Sequence, residues 1–437
     1  MTQAANDLNF TFVIDESQGD RLVHQLHERL IQSIGLDKVL GPTWKQLFSD
    51  EKGAAGPLNW WEEPHNRRRL IEIATRESAA FVYSEASLDA AITAVLGVRS
   101  VKRWAYAMKA NWHPQLLRRI YAAGLTLECV SRGELDHAFD SVPRILPERV
   151  LFTPNFAPRE DYAWALTTRA TISLDSLYQL EQWGELFRAR EVVLRIDLGR
   201  GLGHHEKVRT GGSGSKFGLP VEQVDAFLRL ADTHGVIVRG LHAHLGSGIL
   251  DDTHWGEVYG QLASLAERIG SVTFLDIGGG LGVPSHPGEA RLDIAALDRV
   301  LREVKAAYPH YKLWMEPGRY LVADAGVLLT RVTQTKGKGH GTVRYLGVDT
   351  GMNSLIRPAL YEAWHEIVNL TRLGEPATAL FQVVGPICES GDVLGTDRRL
   401  PEPEEGDVML IAQAGAYGKV MSSPYNLRDE AEEIIIE

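Results

Sequence analysis

Lys109 closes the run Tyr106–Ala107–Met108, where an apolar strand would otherwise continue. A charge resists burial there, so the position marks a strand end. A lysine held at such an end can act as an amine nucleophile toward a carbonyl compound. Further along, His242 and His244 precede Gly246, Ser247 and Gly248, and Gly278, Gly279 and Gly280 follow another apolar run. Glu316, Gly318 and Arg319 close a third, and Arg195 lies within a fourth. Glycines let backbone N–H groups approach an anion, and arginine adds a cationic fork. A carbonyl ligand bearing a phosphate satisfies both ends, and pyridoxal phosphate (PLP) has that chemistry. Glu316 would then keep the pyridine nitrogen protonated, and His244 would lie on the ring face.

Eight runs must position these groups: WAYAMKAN, LTLECVS, RVLFTPN, ATISLDS, VVLRIDLG, VRGLHAHLGS, VTFLDIGGG and KLWMEPGR. Helical patterns fill most gaps, most clearly at 221–235 and 294–308. Eight such alternations predict a parallel (β/α)₈ barrel with the chemistry at the C-terminal strand ends, where loops seven and eight commonly bind phosphate. A doubly wound open sheet is the alternative. After residue 322 the runs are β-like with little helix, which predicts an all-β domain. The expected organisation is a helical and loop-rich extension over 1–75, with apolar helical spacing at 21–35, a PLP-binding barrel over 76–322 and a β-domain over 323–437.

The chain has 437 residues and a net charge of −11, which argues against binding a phosphate backbone. Two cysteines, Cys129 and Cys388, build no disulfide framework and suit a reducing compartment. No run reaches membrane-spanning length, so a cytoplasmic protein without membrane or nucleic-acid partners is expected. The triple glycine is no dinucleotide fingerprint, because residue 283 is Val. His242 and His244, even with His204 and His205, have no carboxylate or cysteine at ligand spacing, so no metal is expected.

The segments YAMKAN, GHHEKVRTGG, SKFG, GLHAHLGSG, GGGLG, EPGR, RPALY, CESGD, GAYG and MSS together resemble the PLP-dependent decarboxylases of the alanine-racemase-like barrel class, and the diaminopimelate decarboxylase family in particular. The similarity runs over residues 78–437 and is strongest to the decarboxylase half of fused aspartate kinase–diaminopimelate decarboxylases. It implies that Lys109 carries PLP and His244 stacks on it. Ser247, Gly279, Gly280 and Arg319, helped by Tyr417, would hold the phosphate, with Arg195 and Gly318 also lining the cofactor site. Arg319, Arg357 and Tyr361 would take the distal carboxylate of the substrate, with Tyr417 beside them. Cys388 and Glu389 would reach in from the partner subunit of a homodimer, Cys388 to protonate the carbanion and Glu389 to read the distal ammonium. The implied reaction is decarboxylation of meso-diaminopimelate to L-lysine and carbon dioxide, the last step of lysine biosynthesis. Pro424, where asparagine is expected, and the acidic stretch 428–433 depart from the family pattern near the substrate pocket. A paralogue acting on a related diamino acid or a D-amino acid, and a non-catalytic PLP-binding relative, are the alternatives. A racemase on this barrel pairs the ring nitrogen with arginine, so Glu316 favours decarboxylation.

Overall fold

The computed structural model describes residues 2–3, 10–11, 58–199, 202–203, 215–337 and 343–437. The chain forms two compact units, Met1–Asn59 and Trp60–Glu437. In the first, Thr2–Gln3 pairs antiparallel with Phe10–Thr11. The helical spacing at 21–35 lies outside the described residues.

In the second unit, β1 spans Ala80–Ser84 and the barrel follows. Its strands are β2 Arg103–Ala107, β3 Thr126–Cys129, β4 Val150–Phe152, β5 Thr171–Leu174, β6 Glu191–Asp197, β7 Ile237–His242, β8 Phe274–Asp276 and β9 Lys312–Met315. Each pairs in parallel with the next, and β9 closes on β2 with Trp314 opposite Arg103 and Met315 opposite Trp104. Closure removes the open-sheet alternative. Helices with local start and stop signals cover the ring. Asp293 caps Ile294–Ala307 by accepting the N–H groups of Ala295 and Ala296, and Gly235 ends Val224–His234 in the left-handed region.

Side chains alternate along a strand, so residues two apart share a face. Ala105, Leu151, Val193, Phe274 and Trp314 pack together as an apolar plug. Phe274 and Trp314 stack at 3.7 Å, and the Arg103 guanidinium lies over the Trp314 ring. Burying one such large side chain contributes about 1.5–3 kcal/mol. Two residues further along the same strands come Thr153, Arg195, Asp276 and Glu316, all buried. The plug thus forms the floor beneath a layer of polar groups at the C-terminal barrel mouth.

The β-domain contains β10 Gly326–Gly337, β11 Arg344–Val348, β12 Ile367–Asn369, β13 Ala379–Val384, β14 Val393–Leu400, β15 Val408–Ile411 and β16 Glu432–Ile436. The order is β12-β15-β10-β11-β13-β14. β1 lies between β10, antiparallel, and β16, parallel. The helix Pro64–Arg76, expected within the extension, belongs to this second unit. Leu70, Ile73 and Ala74, with Trp61, bury against Val82, Val327, Leu329 and Leu410. That apolar face explains why the chain divides at 59/60 rather than at residue 75.

Candidate active site

β2 gives way to a turn of 3₁₀ helix, Met108–Ala110, which lifts Lys109 to the barrel mouth. The β-domain pins this turn: the Tyr417 N–H donates to Ala110 O at 2.8 Å, and Asn111 Nδ2 donates to Gly415 O at 3.0 Å. Tyr417 has φ +57°, unusual for a bulky residue and held by that bond together with the Arg319 guanidinium 4.9 Å from its ring centre.

Lys109 Nζ donates to Glu128 Oε2 at 2.6 Å; the lysine side chain is 39% exposed and the glutamate 1%. Thr153 Oγ1 donates to the other Glu128 oxygen. Burial works against the ammonium, but Glu128, then Tyr417 and Glu316, outweigh it and hold the Lys109 pKa above its usual value. Glu316, at the end of β9, lies 3.4 Å from His242 Nε2. Burial would raise the Glu316 pKa, yet His242, Lys109 and His244 bring it to about 2. His244 accepts the Gly279 N–H on Nδ1 at 3.1 Å. Burial, then Arg195 and Lys109, lowers the His244 pKa to about 3, so the imidazole is neutral. Arg195 lies with its guanidinium 4.8 Å from the Phe217 ring.

The triple glycine is a close-approach turn. A Cβ on Gly279 would stand 2.0 Å from the Glu316 carbonyl oxygen, and Gly280 has φ +85°. Trp255 Nε1 donates to Gly279 O and anchors the turn. Opposite it, Arg319 Nη2 donates to Ser247 Oγ at 3.3 Å. Gly318 brings the start of the Arg319–Val322 helix against Ala107 and Ala110.

Arg319 continues into a cleft of about 170 Å³ that it shares with Arg357, Tyr361, Trp364 and His365. Arg357 is buried, and its Nε has no hydrogen-bond partner; the same holds for Arg319 Nε. Among the described residues neither arginine has an ion pair. Burial and the charge of Arg319 push the Arg357 pKa down to about 9, which leaves it cationic at neutral pH. Burial and then Arg357 press His365 to about 3, so that ring is neutral. The buried Arg357 and the half-buried Arg319, neither ion-paired, form a site for an anion, although Glu289 and Glu362 also line the cleft.

The described residues therefore bring together Lys109, Arg195, His244, Ser247, Gly279, Gly280, Glu316, Gly318, Arg319 and Tyr417 around one mouth, with Arg357 and Tyr361 beside Arg319. Cys388 and Glu389 are not joined to them. Cys388 is exposed, its N–H donates to Asn426 Oδ1, and Glu389 accepts the Tyr425 hydroxyl. Sequence reasoning missed Glu128, Thr153 and Asp276. The usable signal was a polar residue inside an apolar strand, as in LEC and FLD.

The region 90–323 matches the family model for the pyridoxal-dependent decarboxylase, pyridoxal binding domain. The chain is 38% identical over 344 residues to a diaminopimelate decarboxylase of Methanothermobacter thermautotrophicus, covering 76% of this chain and 79% of that protein. The corresponding enzyme of Escherichia coli K12 is 33% identical over 354 residues, covering 76% and 83%. The chain belongs to the diaminopimelate decarboxylase family. A crystal structure of diaminopimelate decarboxylase from Helicobacter pylori complexed with L-lysine superposes with a TM-score of 0.77 at 27% identity, covering 84% of this chain and 93% of that one.

The site of this family member fits PLP on its own geometry. The glycine turn and Ser247 leave backbone approach for a phosphate. The buried Glu316 Oε1 lacks a donor, which a protonated ring nitrogen would supply. Lys109 is the amine at the mouth.

Proposed function

We propose that the protein removes one carboxylate of meso-diaminopimelate as carbon dioxide and yields L-lysine, with PLP carried by Lys109. The observation that carries this reading is the Arg319–Arg357 pair. An enzyme for a monocarboxylic diamine has no use for a buried guanidinium without an ion pair, such as Arg357 beside Arg319, and leaving a buried charged group unsatisfied costs about 1–3 kcal/mol or more. A substrate with a second carboxylate removes that cost.

PLP, when bound, supplies the electron sink that accepts the pair left by the departing carboxylate. Glu316, ionised at neutral pH, holds a proton on the ring nitrogen. His244, neutral and fixed by the Gly279 N–H, packs against the ring face, with Arg195 beside it. The glycine turn through Gly279 and Gly280, Ser247 and Arg319, helped by Tyr417, hold the phosphate, and Gly318 lets Arg319 approach. Arg319, Arg357 and Tyr361 bind the distal carboxylate and so orient the reacting carbon. Glu128 holds Lys109 as an ammonium until the amine gives up its proton to become a nucleophile, and Lys109 is one source of the proton returned to Cα.

Cys388 and Glu389 enter this scheme through a homodimer in which each mouth is completed by the partner subunit: Cys388 protonates Cα and Glu389 accepts the distal ammonium. Their exposure on a single chain supports that arrangement. Among the described residues no helix is long and apolar enough to cross a membrane, and we place the enzyme in the cytoplasm as part of lysine biosynthesis. The test is carbon dioxide release from a panel of meso-diaminopimelate, L-lysine, L-ornithine and D-amino acids. Preference for meso-diaminopimelate is expected; preference for lysine or ornithine would remove the substrate assignment.

A further inference from the structure

Asp276 ends β8 inside the barrel and is 1% exposed. Its Oδ1 accepts the Gly278 N–H, the first of the glycine turn, at 3.0 Å. Its Oδ2 is enclosed without a donor. One ligating atom from each of Asp276, Glu316 and His242 lies within 4.8 Å of the others. Two carboxylates so close in a buried space cannot both be ionised, and one shared proton resolves the contact by making one acid a donor and the other an acceptor. The surroundings decide which keeps it. Glu316 faces His242, Lys109 and His244. Asp276 faces Glu316 and Glu128, with Arg103 beneath it. Burial first, then the Glu316 charge, pushes Asp276 well above the usual carboxylate range.

We propose that Asp276 is a positioning residue of this site: it donates its carboxyl proton to Glu316 and accepts the Gly278 N–H, so the carboxylate that meets the ring nitrogen and the turn that meets the phosphate are fixed as one unit. No earlier assignment in the site uses Asp276. Its kinetic consequence rests on the decarboxylase reading; its effect on PLP retention does not. The same three atoms also match the ligand set of a divalent cation, which the test separates.

The experiment compares wild-type holoenzyme with Asp276→Asn and Asp276→Ala by PLP dissociation constant, read from the bound-cofactor absorbance, by kcat and KM, and by metal analysis. Asparagine keeps both bonds, with Nδ2–H toward Glu316 and Oδ1 toward Gly278. It is expected within about 3-fold of wild type in PLP affinity and kcat. Its cofactor titration should also match wild type, because a protonated carboxyl and an amide are both uncharged. Alanine loses both bonds, and about 10- to 100-fold weaker PLP binding with a lower kcat and a smaller change in KM is expected. If Asp276→Ala does not fold, Asp276→Asn decides alone. The proposal is overturned if folded Asp276→Asn loses PLP as readily as a loss of both bonds would cause, if Asp276→Ala keeps wild-type affinity, or if purified protein carries one metal ion per chain that Asp276→Asn releases. Wild-type inactivity toward every amino acid would undo the decarboxylase reading and leave the PLP comparison intact.

Discussion

Replacing Arg357 with alanine removes one of two guanidinium groups that share a cleft and, among the described residues, have no ion pair. In the substrate-free protein this is a relief: Arg357 is buried, its pKa is pushed down to about 9 by burial and by Arg319, and its Nε has no partner. The variant is therefore expected to keep or slightly raise its melting temperature. The cost falls on substrate. A charge-assisted hydrogen bond to the distal carboxylate contributes about 1.5–3 kcal/mol, equivalent to roughly 10- to 150-fold. That is the expected fall in kcat/KM for meso-diaminopimelate. The value for L-lysine, which lacks the second carboxylate, should change by less than about 3-fold. PLP binding should stay near normal, because the glycine turn, Ser247 and Lys109 are untouched. The assay measures carbon dioxide from both substrates under saturating PLP, with bound-cofactor absorbance as the control. An unchanged ratio between the two substrates in Arg357→Ala, with the absorbance intact, would refute the reasoning and leave Arg357 as a structural brace.

Three further outcomes follow from the same site. Glu128→Gln removes the carboxylate that holds Lys109 as an ammonium, so the pH above which PLP attaches covalently should move down; absorbance-monitored titration of apoprotein with PLP measures it, and an unchanged midpoint contradicts the role of Glu128. Glu134 is held at a pKa of about 7, above its ordinary value, by burial and then by Glu128, against the Val130 N–H it accepts. A raised folded-state carboxyl pKa destabilises the fold as pH climbs from its unfolded value, about 4.3, to about 7. Glu134→Gln should therefore melt higher than wild type above that window and equal to it below, in thermal scans across pH. If sites are shared between subunits, mixing inactive Lys109→Ala and Cys388→Ala chains makes half the dimers hybrid, each with one intact site, so about a quarter of wild-type activity should return; no return after verified exchange argues for a site within one chain.

The barrel was legible because each of its strands is a short apolar run broken by polar or glycine residues, and because helices such as Ile294–Ala307 carry both an apolar stripe and a cap. Lys109, His244, Glu316 and Arg319 were legible as strand-end residues whose chemistry agrees. Glu128 and Asp276 offered only the signal of an acid inside an apolar run, and that pattern looks the same from sequence whether the acid faces solvent or the barrel axis. Only the register of the closed ring puts both inward. The run FVYS at 81–84 reads as a strand that either joins the β-domain or precedes the barrel; only its pairing with Gly326–Leu329 and Glu432–Ile436, hundreds of residues away, decides for the β-domain. β12 and β14 went unread, the first being three residues long and the second interrupted by Asp397, Arg398 and Arg399.

The most direct test incubates purified holoenzyme with meso-diaminopimelate and quantifies carbon dioxide alongside the amino-acid product by chiral chromatography, with Lys109→Ala as the control. The account predicts L-lysine and carbon dioxide in equal amounts from the wild type and neither from the variant. Consumption of substrate without carbon dioxide, a product other than L-lysine, or full turnover by Lys109→Ala would contradict it.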